Sequence, residues 1–161
     1  MKICVFADTH GDSSVMKSAI EKQKPDIVIH CGDGIDDAKA MERAYPDITF
    51  HYVRGNCDSP FSGEKELVLE IEGYVFFVAH GDNFEKGFYF EPKLIADYAR
   101  NKGASIVLHG HTHRGMIDFS QDDIQIFNPG CATPKKAIDN NAGYGIIDIK
   151  ERNVSFHLEV A

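Results

Sequence analysis

Residues 3–7 (ICVFA) and 27–29 (IVI) are apolar at every position, not at every second one. A strand of that kind offers no polar face to water, so it has to lie in a sheet that is covered on both sides. The intervening segments can supply the cover. Residues 13–24 place Val15, Met16, Ala19 and Ile20 on one stripe of a helix, with Ser13 or Asp12 as cap and Pro25 as stop. Residues 35–45 read as a second helix, ended by Pro46. With strands expected over 2–7, 26–30 and 48–53, this part of the chain predicts parallel pairing through right-handed crossovers.

The rhythm changes after residue 65. Residues 66–72 alternate, and 74–79 form a second strand across a turn at Gly73, which together predict an antiparallel hairpin. A Gly- and Phe-rich loop follows, then a helix over 92–102 with Pro in its first turn and an end before Gly103. Further strands are expected over 105–109, 114–120, 124–128, 144–150 and 154–160, the last two joined near Arg152 and Asn153. Two packed sheets with helices outside accommodate both halves. No linker, low-complexity tract or repeat interrupts the chain, so residues 1–161 are expected to form one domain.

Composition narrows the function classes. A hydrophobic content of 43% excludes disorder. No apolar run approaches the roughly 18 residues of a membrane span, so no membrane partner is expected. The N-terminus reaches Asp8 before a signal-peptide core forms, and a cytoplasmic location is expected. Seventeen Lys and Arg against 25 Asp and Glu give a net charge of −8, which disfavours long nucleic acids. Cys4, Cys31, Cys57 and Cys131 form no C-x-x-C pair and read as thiols.

The chemistry collects at strand ends. Asp8 and His10 follow the first strand, Gly32-Asp33 the second, and Gly55-Asn56-Cys57-Asp58 the third. His80-Gly81-Asp82 follows the hairpin, and Gly110-His111-Thr112-His113 follows 105–109. Ligands in α/β sheets gather at the carboxyl ends of strands, so five loops can meet at one point. A two-residue spacing in extended backbone puts Asp8 and His10, and likewise His111 and His113, on one face. Carboxylate with imidazole suits borderline divalent metals. Glycine beside Asp33, Asn56, His111, His80 and His10 is read as letting the backbone turn sharply at each ligand. One such cluster is ordinary turn chemistry; five in this order are a metal site.

The ordered series D-x-H, G-D, G-N-C-D, H-G-D, G-H-T-H resembles the calcineurin-like metallophosphoesterase superfamily. More narrowly, it is similar to its small archaeal and bacterial phosphodiesterases and to the related retromer scaffold subunit. The Asn128-Pro129-Gly130 turn is also similar. The resemblance implies a four-layer αββα sandwich with two mixed sheets face to face and helices on the outside. It implies two divalent transition-metal ions, Mn²⁺ before Ni²⁺, Co²⁺, Fe²⁺ or Zn²⁺. Asp8, His10, Asp33 and His113 would hold one, and Asp33, Asn56, His80 and His111 the other. Asp33 would bridge, and a hydroxide between the ions would attack a phosphodiester. Asn56, Asp33, His111, Cys57 and Asp58 are then the candidate catalytic residues.

Cys57 stands where the phosphatase branch resembles G-N-H-[DE] and has a histidine that protonates the leaving group. Packing beside the ligands, a weak acid and a redox-sensitive thiol are all open for it. His30 and His109 sit at strand ends with ligand-orienting hydrogen bonds available, while His51 and His157 fall inside strands. Asp58 and Asp82 suit either orienting ligands or closing turns. Phe84, Phe88, Tyr89 and Phe90 suit a pocket wall, an oligomer face or a cover for the following helix. The substrate expected is a small phosphodiester. The alternatives are a non-catalytic scaffold of the same fold, a phosphomonoesterase, or a nuclease of short oligonucleotides; all seven ligand positions hold metal-competent residues, against a retired site.

Overall fold

The computed structural model describes residues 1–161 apart from the side chain of Asp139. The chain runs β1 (Lys2–Phe6), α1 (Ser14–Gln23), β2 (Ile27–His30), α2 (Ile35–Ala44) and β3 (Thr49–Tyr52), then β4 (Glu66–Ile71) and β5 (Tyr74–Ala79). Next come β6 (Glu85–Lys86), β7 (Tyr89–Phe90), α3 (Pro92–Asn101), β8 (Ile106–Leu108), β9 (Gly115–Gln121), β10 (Ile124–Pro129), β11 (Gly143–Lys150) and β12 (Asn153–Val160). Every expected strand and helix forms, with ends within one residue of those expected. The sequence pattern missed the β6–β7 hairpin, whose two-residue strands are too short to show alternation.

Alternation sorts the side chains into layers. One sheet has the order β12-β11-β1-β2-β3, the other β4-β5-β8-β10-β9. Ile3, Val5, Ile27 and Ile29 face Phe76, Val78, Leu108 and Phe127 across the gap between the sheets. The alternate residues Cys4, Phe6, Val28 and Phe50 face outward onto Met16 and Ile20 of α1. Phe77, Val107 and Ile126 face outward onto Ile95, Ala96 and Ala99 of α3. The result is the expected αββα sandwich, and it explains why β1 and β2 are apolar on both faces.

Helix ends follow local chemistry. Ser13 is the N-cap residue of α1 but its side chain makes no capping bond; the preceding Asp12 does that work, its Oδ1 accepting from Ser14 N at 3.1 Å and from Ser14 Oγ at 2.6 Å. The Glu91 carboxylate accepts from Lys93 N at 3.2 Å at the start of α3. No helix is long and apolar enough to cross a membrane.

Parallel register aligns the strand ends. Phe6 pairs with His30 and His30 with Tyr52, so the loops after β1, β2 and β3 leave the sheet side by side. In the second sheet Val78 pairs with Leu108, which aligns the loops after β5 and β8. Phe127 anchors this arrangement. It is fully buried, packs on Phe156 at 5.4 Å, and lies so close to Gly145 that a Cβ there would overlap its ring. Phe127→Ala is expected to cost about 3–5 kcal/mol in urea denaturation, because the rigid sheets cannot close the hole. A loss below about 1 kcal/mol would show that the gap collapses.

Candidate metal centre

Backbone hydrogen bonds bring the loops together before any side chain does. Asp8 N donates to Gly32 O at 3.0 Å, His10 N to Asp33 O at 2.9 Å, and Gly110 N to His80 O at 2.9 Å. Two further bonds cross between the sheets: His111 N donates to Asp8 Oδ2 at 3.1 Å, and His80 Nδ1 donates to Cys31 O at 2.8 Å.

Side chains from these loops converge. Asp8, His10 and His113 form one group whose candidate ligand atoms lie within 4.8 Å of one another, and Asp8, Asp33 and His80 form a second. His113 Nε2 stands 3.4 Å from Asp8 Oδ1, and His80 Nε2 stands 3.3 Å from Asp33 Oδ2. His10 Nε2 is 3.9 Å from a carboxylate oxygen of each aspartate. His80 and His113 are held alike. Each gives its Nδ1 proton to a backbone carbonyl, His80 to Cys31 and His113 to Lys136 at 3.0 Å, so each presents Nε2 to the centre. That is how metal-ligating histidines are held in one tautomer.

The donor set fits divalent ions. Asp8 Oδ1 and His80 Nε2 are buried without a hydrogen-bond partner, and both face this centre. Asp8 and Asp33 are 0% and 3% exposed, yet among the described residues neither forms an ion pair with a lysine or arginine. Orphaned buried donors and acceptors beside paired carboxylates are what a bound cation would satisfy. The titrations tell the same story with protein groups alone. The Asp8 carboxylate 3.4 Å away lifts His113 to about 11. Burial would raise Asp33, but His80 and the Cys57 N–H hold it well below the usual carboxylate range.

The loops are held by residues outside the ligand set. The Asp58 carboxylate accepts four backbone N–H groups: Asp33 N at 2.8 Å and Gly55 N at 2.7 Å on Oδ2, Gly34 N at 2.9 Å and Ile35 N at 3.2 Å on Oδ1. Asp58 therefore positions the Asp33 and Gly55 loops and leaves proton transfer to other groups. His30 Nδ1 accepts from Gly32 N at 3.2 Å, so its Nε2–H donates to Thr9 Oγ1 at 3.1 Å, whose own proton goes to Asp37 Oδ2 at 2.6 Å. Asn128 gives its amide protons to Gly110 O at 2.9 Å and Thr112 Oγ1 at 3.0 Å, which fixes the G-H-T-H loop. The sequence carried no signal for Thr9 or Asp37, and for Asn128 only a turn.

Backbone geometry is strained at the ligands. Asp8, His10, Asp33, His111 and His113 all adopt positive φ, between 47° and 69°. The glycines act in two ways. Gly32 turns the chain at φ 98°, as expected. Gly55 and Gly110 do not turn it; they permit contact. A Cβ on Gly55 would overlap Asp33 Oδ1, and one on Gly110 would stand 2.6 Å from Ala7 Cβ.

Other expected residues lie at the rim. Cys57 is exposed, with its N–H on Asp33 Oδ1 at 2.8 Å and its sulfur grouped within 4.8 Å of His10 and Asp33 donors, so the packing role is not what the fold gives it. Asn56 is exposed and its Nδ2 meets Cys57 Sγ at 3.7 Å. The His111 ring lies 5.1 Å from that of His80, and its Nε2 bonds Glu85 Oε1 of β6 at 2.7 Å, a partner the sequence did not reveal. The aromatic segment divides. Phe84 packs on Phe77 and Tyr98, Phe90 stacks on His109 at 4.2 Å, and Phe88 and Tyr89 are exposed. His51 is half-buried and His157 exposed, both away from the centre.

Two outcomes follow for the metal-free chain. Gly55→Ala is expected to keep the fold by circular dichroism but to lower metal uptake at least ten-fold, since a 1.4 kcal/mol displacement of Asp33 suffices; undiminished uptake would refute the close-contact role. Burial holds His30 and His109 down at about 4. Their stabilising contribution is complete above about pH 6.5 and is lost as pH falls through about 4, up to roughly 3 kcal/mol each. His113, raised in the folded state, works with the opposite sign: its contribution is fully present below about pH 6.5 and does not produce this fall. Urea midpoints of chelated protein should fall between pH 6.5 and 4, and less so in His30→Gln; identical slopes would remove His30 from the account.

Residues 1–152 match the family described as the calcineurin-like phosphoesterase superfamily domain. A probable metallophosphoesterase of Mycoplasma pneumoniae is 32% identical over 133 residues, 80% of this chain and 77% of that protein. A novel archaeal phosphodiesterase superposes with a TM-score of 0.72 at 22% identity, covering 100% of both chains. Vps29 of Entamoeba histolytica, complexed with Zn²⁺, superposes with a TM-score of 0.77 at 18% identity over 100% of this chain and 98% of its own. These two likenesses are of fold. With the family match spanning residues 1–152 and the centre just described, the chain belongs to the calcineurin-like phosphoesterase superfamily.

Proposed function

We propose that the chain is a metal-dependent phosphodiesterase acting on a small diester at a dinuclear centre. The observation that carries this is the pair of buried aspartates, with Asp8 Oδ1 and His80 Nε2 left unpartnered and facing each other's neighbours. Asp8, His10, Asp33 and His113 would hold one divalent ion, and Asp33, Asn56, His80 and His111 the second, Mn²⁺ ahead of Ni²⁺, Co²⁺, Fe²⁺ or Zn²⁺. Ions held there polarise phosphoryl oxygens and acidify a water toward neutrality.

The chain's own groups do the positioning. Asp33 stands between His10 and His80, with Oδ1 fixed by Cys57 N–H and Oδ2 3.9 Å from His10 Nε2 and 3.3 Å from His80 Nε2. Asp58 clamps the backbone on either side of it. The Nδ1–H bonds of His80 and His113 keep their Nε2 lone pairs aimed inward. His30 cannot serve as proton donor to a leaving group, because it is buried and hydrogen-bonded to Thr9. His109 is buried beneath Phe90. That leaves the exposed Cys57 in the donor's position. The net charge of −8 supports a small substrate over long nucleic acid.

Chelated protein given Mn²⁺, Ni²⁺ or Co²⁺ is expected to hydrolyse bis-p-nitrophenyl phosphate, and Ca²⁺, which prefers all-oxygen shells, to restore little. Asp33→Asn should lose both metal and turnover by orders of magnitude. No turnover with any metal would favour the non-catalytic alternative, and faster turnover of p-nitrophenyl phosphate the monoesterase one. Cys57→His should speed poor leaving groups most, within the roughly 10²–10⁴-fold that general acids supply. The check is the dependence of rate on leaving-group pKa in both proteins, and equal slopes would remove Cys57 from the donor's place.

A further inference from the structure

We propose that the substrate carries a second phosphate and that Arg54 and Lys65 receive it, in a cavity that opens beside the metal centre; this rests on the phosphodiesterase reading above. The cavity, about 240 Å³, is lined by His80 of the centre together with Asn56, Arg54, Lys65, Phe84 and Tyr98. It is therefore continuous with the place where the scissile diester would lie.

Charge decides what belongs there. Three carboxylates share the wall, and two are already engaged. Asp58 is consumed by backbone N–H groups. Glu66 Oε1 accepts from Tyr98 Oη at 3.1 Å and faces Lys102 Nζ at 3.5 Å. Asp82 remains, against two cations. Arg54 gives its Nε–H to Gly63 O at 2.9 Å, which sets the plane of the guanidinium and leaves its terminal nitrogens to make a fork. Among the described residues neither Arg54 nor Lys65 forms an ion pair. A second cavity at the centre, about 370 Å³, is lined by His10, Asp33, Asp36 and Asp37, with Lys136 as its one lysine or arginine. In a chain of charge −8, an additional anion is drawn to the first cavity and repelled from the second.

Size and shape narrow the class. The cavity is smaller than the roughly 300–1,000 Å³ that drug-sized ligands need, and it suits one sugar-phosphate unit. Phe84 and Tyr98, with ring centroids 5.4 Å apart, give that unit an apolar wall. An arginine fork and a lysine point charge in the same lining match a phosphate. The substrate class is a nucleotide-like diester that carries a second phosphate.

A matched pair of ligands tests this. Binding of thymidine 3′,5′-bisphosphate and thymidine 5′-monophosphate to Mn²⁺-loaded protein would be measured by calorimetry, in native chain, Arg54→Ala, Lys65→Ala and Lys65→Arg. The bisphosphate is expected to bind roughly ten-fold tighter or more to the native chain, an advantage that shrinks toward unity in both alanine variants and persists in Lys65→Arg. Lys65 is exposed and holds no hydrogen bond among the described residues, so Lys65→Ala decides the matter even if Arg54→Ala unfolds. Equal binding of the two ligands by the native chain, or an undiminished advantage in Lys65→Ala, overturns the proposal. Release of nitrophenol from thymidine 5′-(p-nitrophenyl phosphate), which lacks the second phosphate, tests the diesterase reading separately. Its absence would fail that reading, while the binding comparison still decides this one.

Discussion

Two aspartates buried side by side, out of reach of any lysine or arginine partner among the described residues, set the terms for the rest of this molecule. Removing a carboxylate from water costs several kcal/mol, and a second one nearby adds repulsion. Imidazoles answer that charge here, and they surround it: His10, His80 and His113 all point a nitrogen at Asp8 or Asp33. With protein groups alone the balance is struck by protonating histidine, which is why His113 titrates so high. A divalent cation would strike it without protons and would satisfy the two orphaned atoms as well.

The αββα framework exists to hold these charges at a fixed spacing. Five of the seven candidate ligand residues sit in left-handed backbone, which costs a side-chain-bearing residue roughly 1–2 kcal/mol each. Such conformations persist only when their surroundings over-determine them. Here the surroundings are the Asp58 clamp, the His30–Thr9–Asp37 relay, the Asn128 amide and the cross-sheet bonds to Asp8 and Cys31. The rigid sheets behind them, locked by residues such as Phe127, keep the loops from relaxing.

Much of this was legible in the sequence, for physical reasons that can be named. Runs such as residues 3–7 announce a doubly covered strand because nothing in them tolerates water, and G-H-T-H announces a ligand loop because its residue types have few other uses in that order. Supporting contacts were less legible. Asp58 looked equally suited to a turn, because a carboxylate that collects N–H groups from two distant loops leaves no local pattern. Glu85 meets His111 only because a four-residue contact between two very short strands folds over the centre. Gly55 and Gly110 were read as turns, when their work is to admit a neighbour's atoms; a missing side chain gives the same letter in either case.

The Asp58 clamp also separates what can change from what cannot. It ends at Gly55 and Asp58, while the stretch from Ser59 to Lys65 loops outward, mostly exposed, and carries none of the clamp's bonds. Side-chain changes at its exposed positions leave the four bonds that space Asp33 and Gly55 in place, while its backbone, through Gly63 O and Glu64 O, holds Arg54. Descendants of such a chain can thus try new substrates by redrafting one outer loop, while the ion-holding machinery is inherited intact.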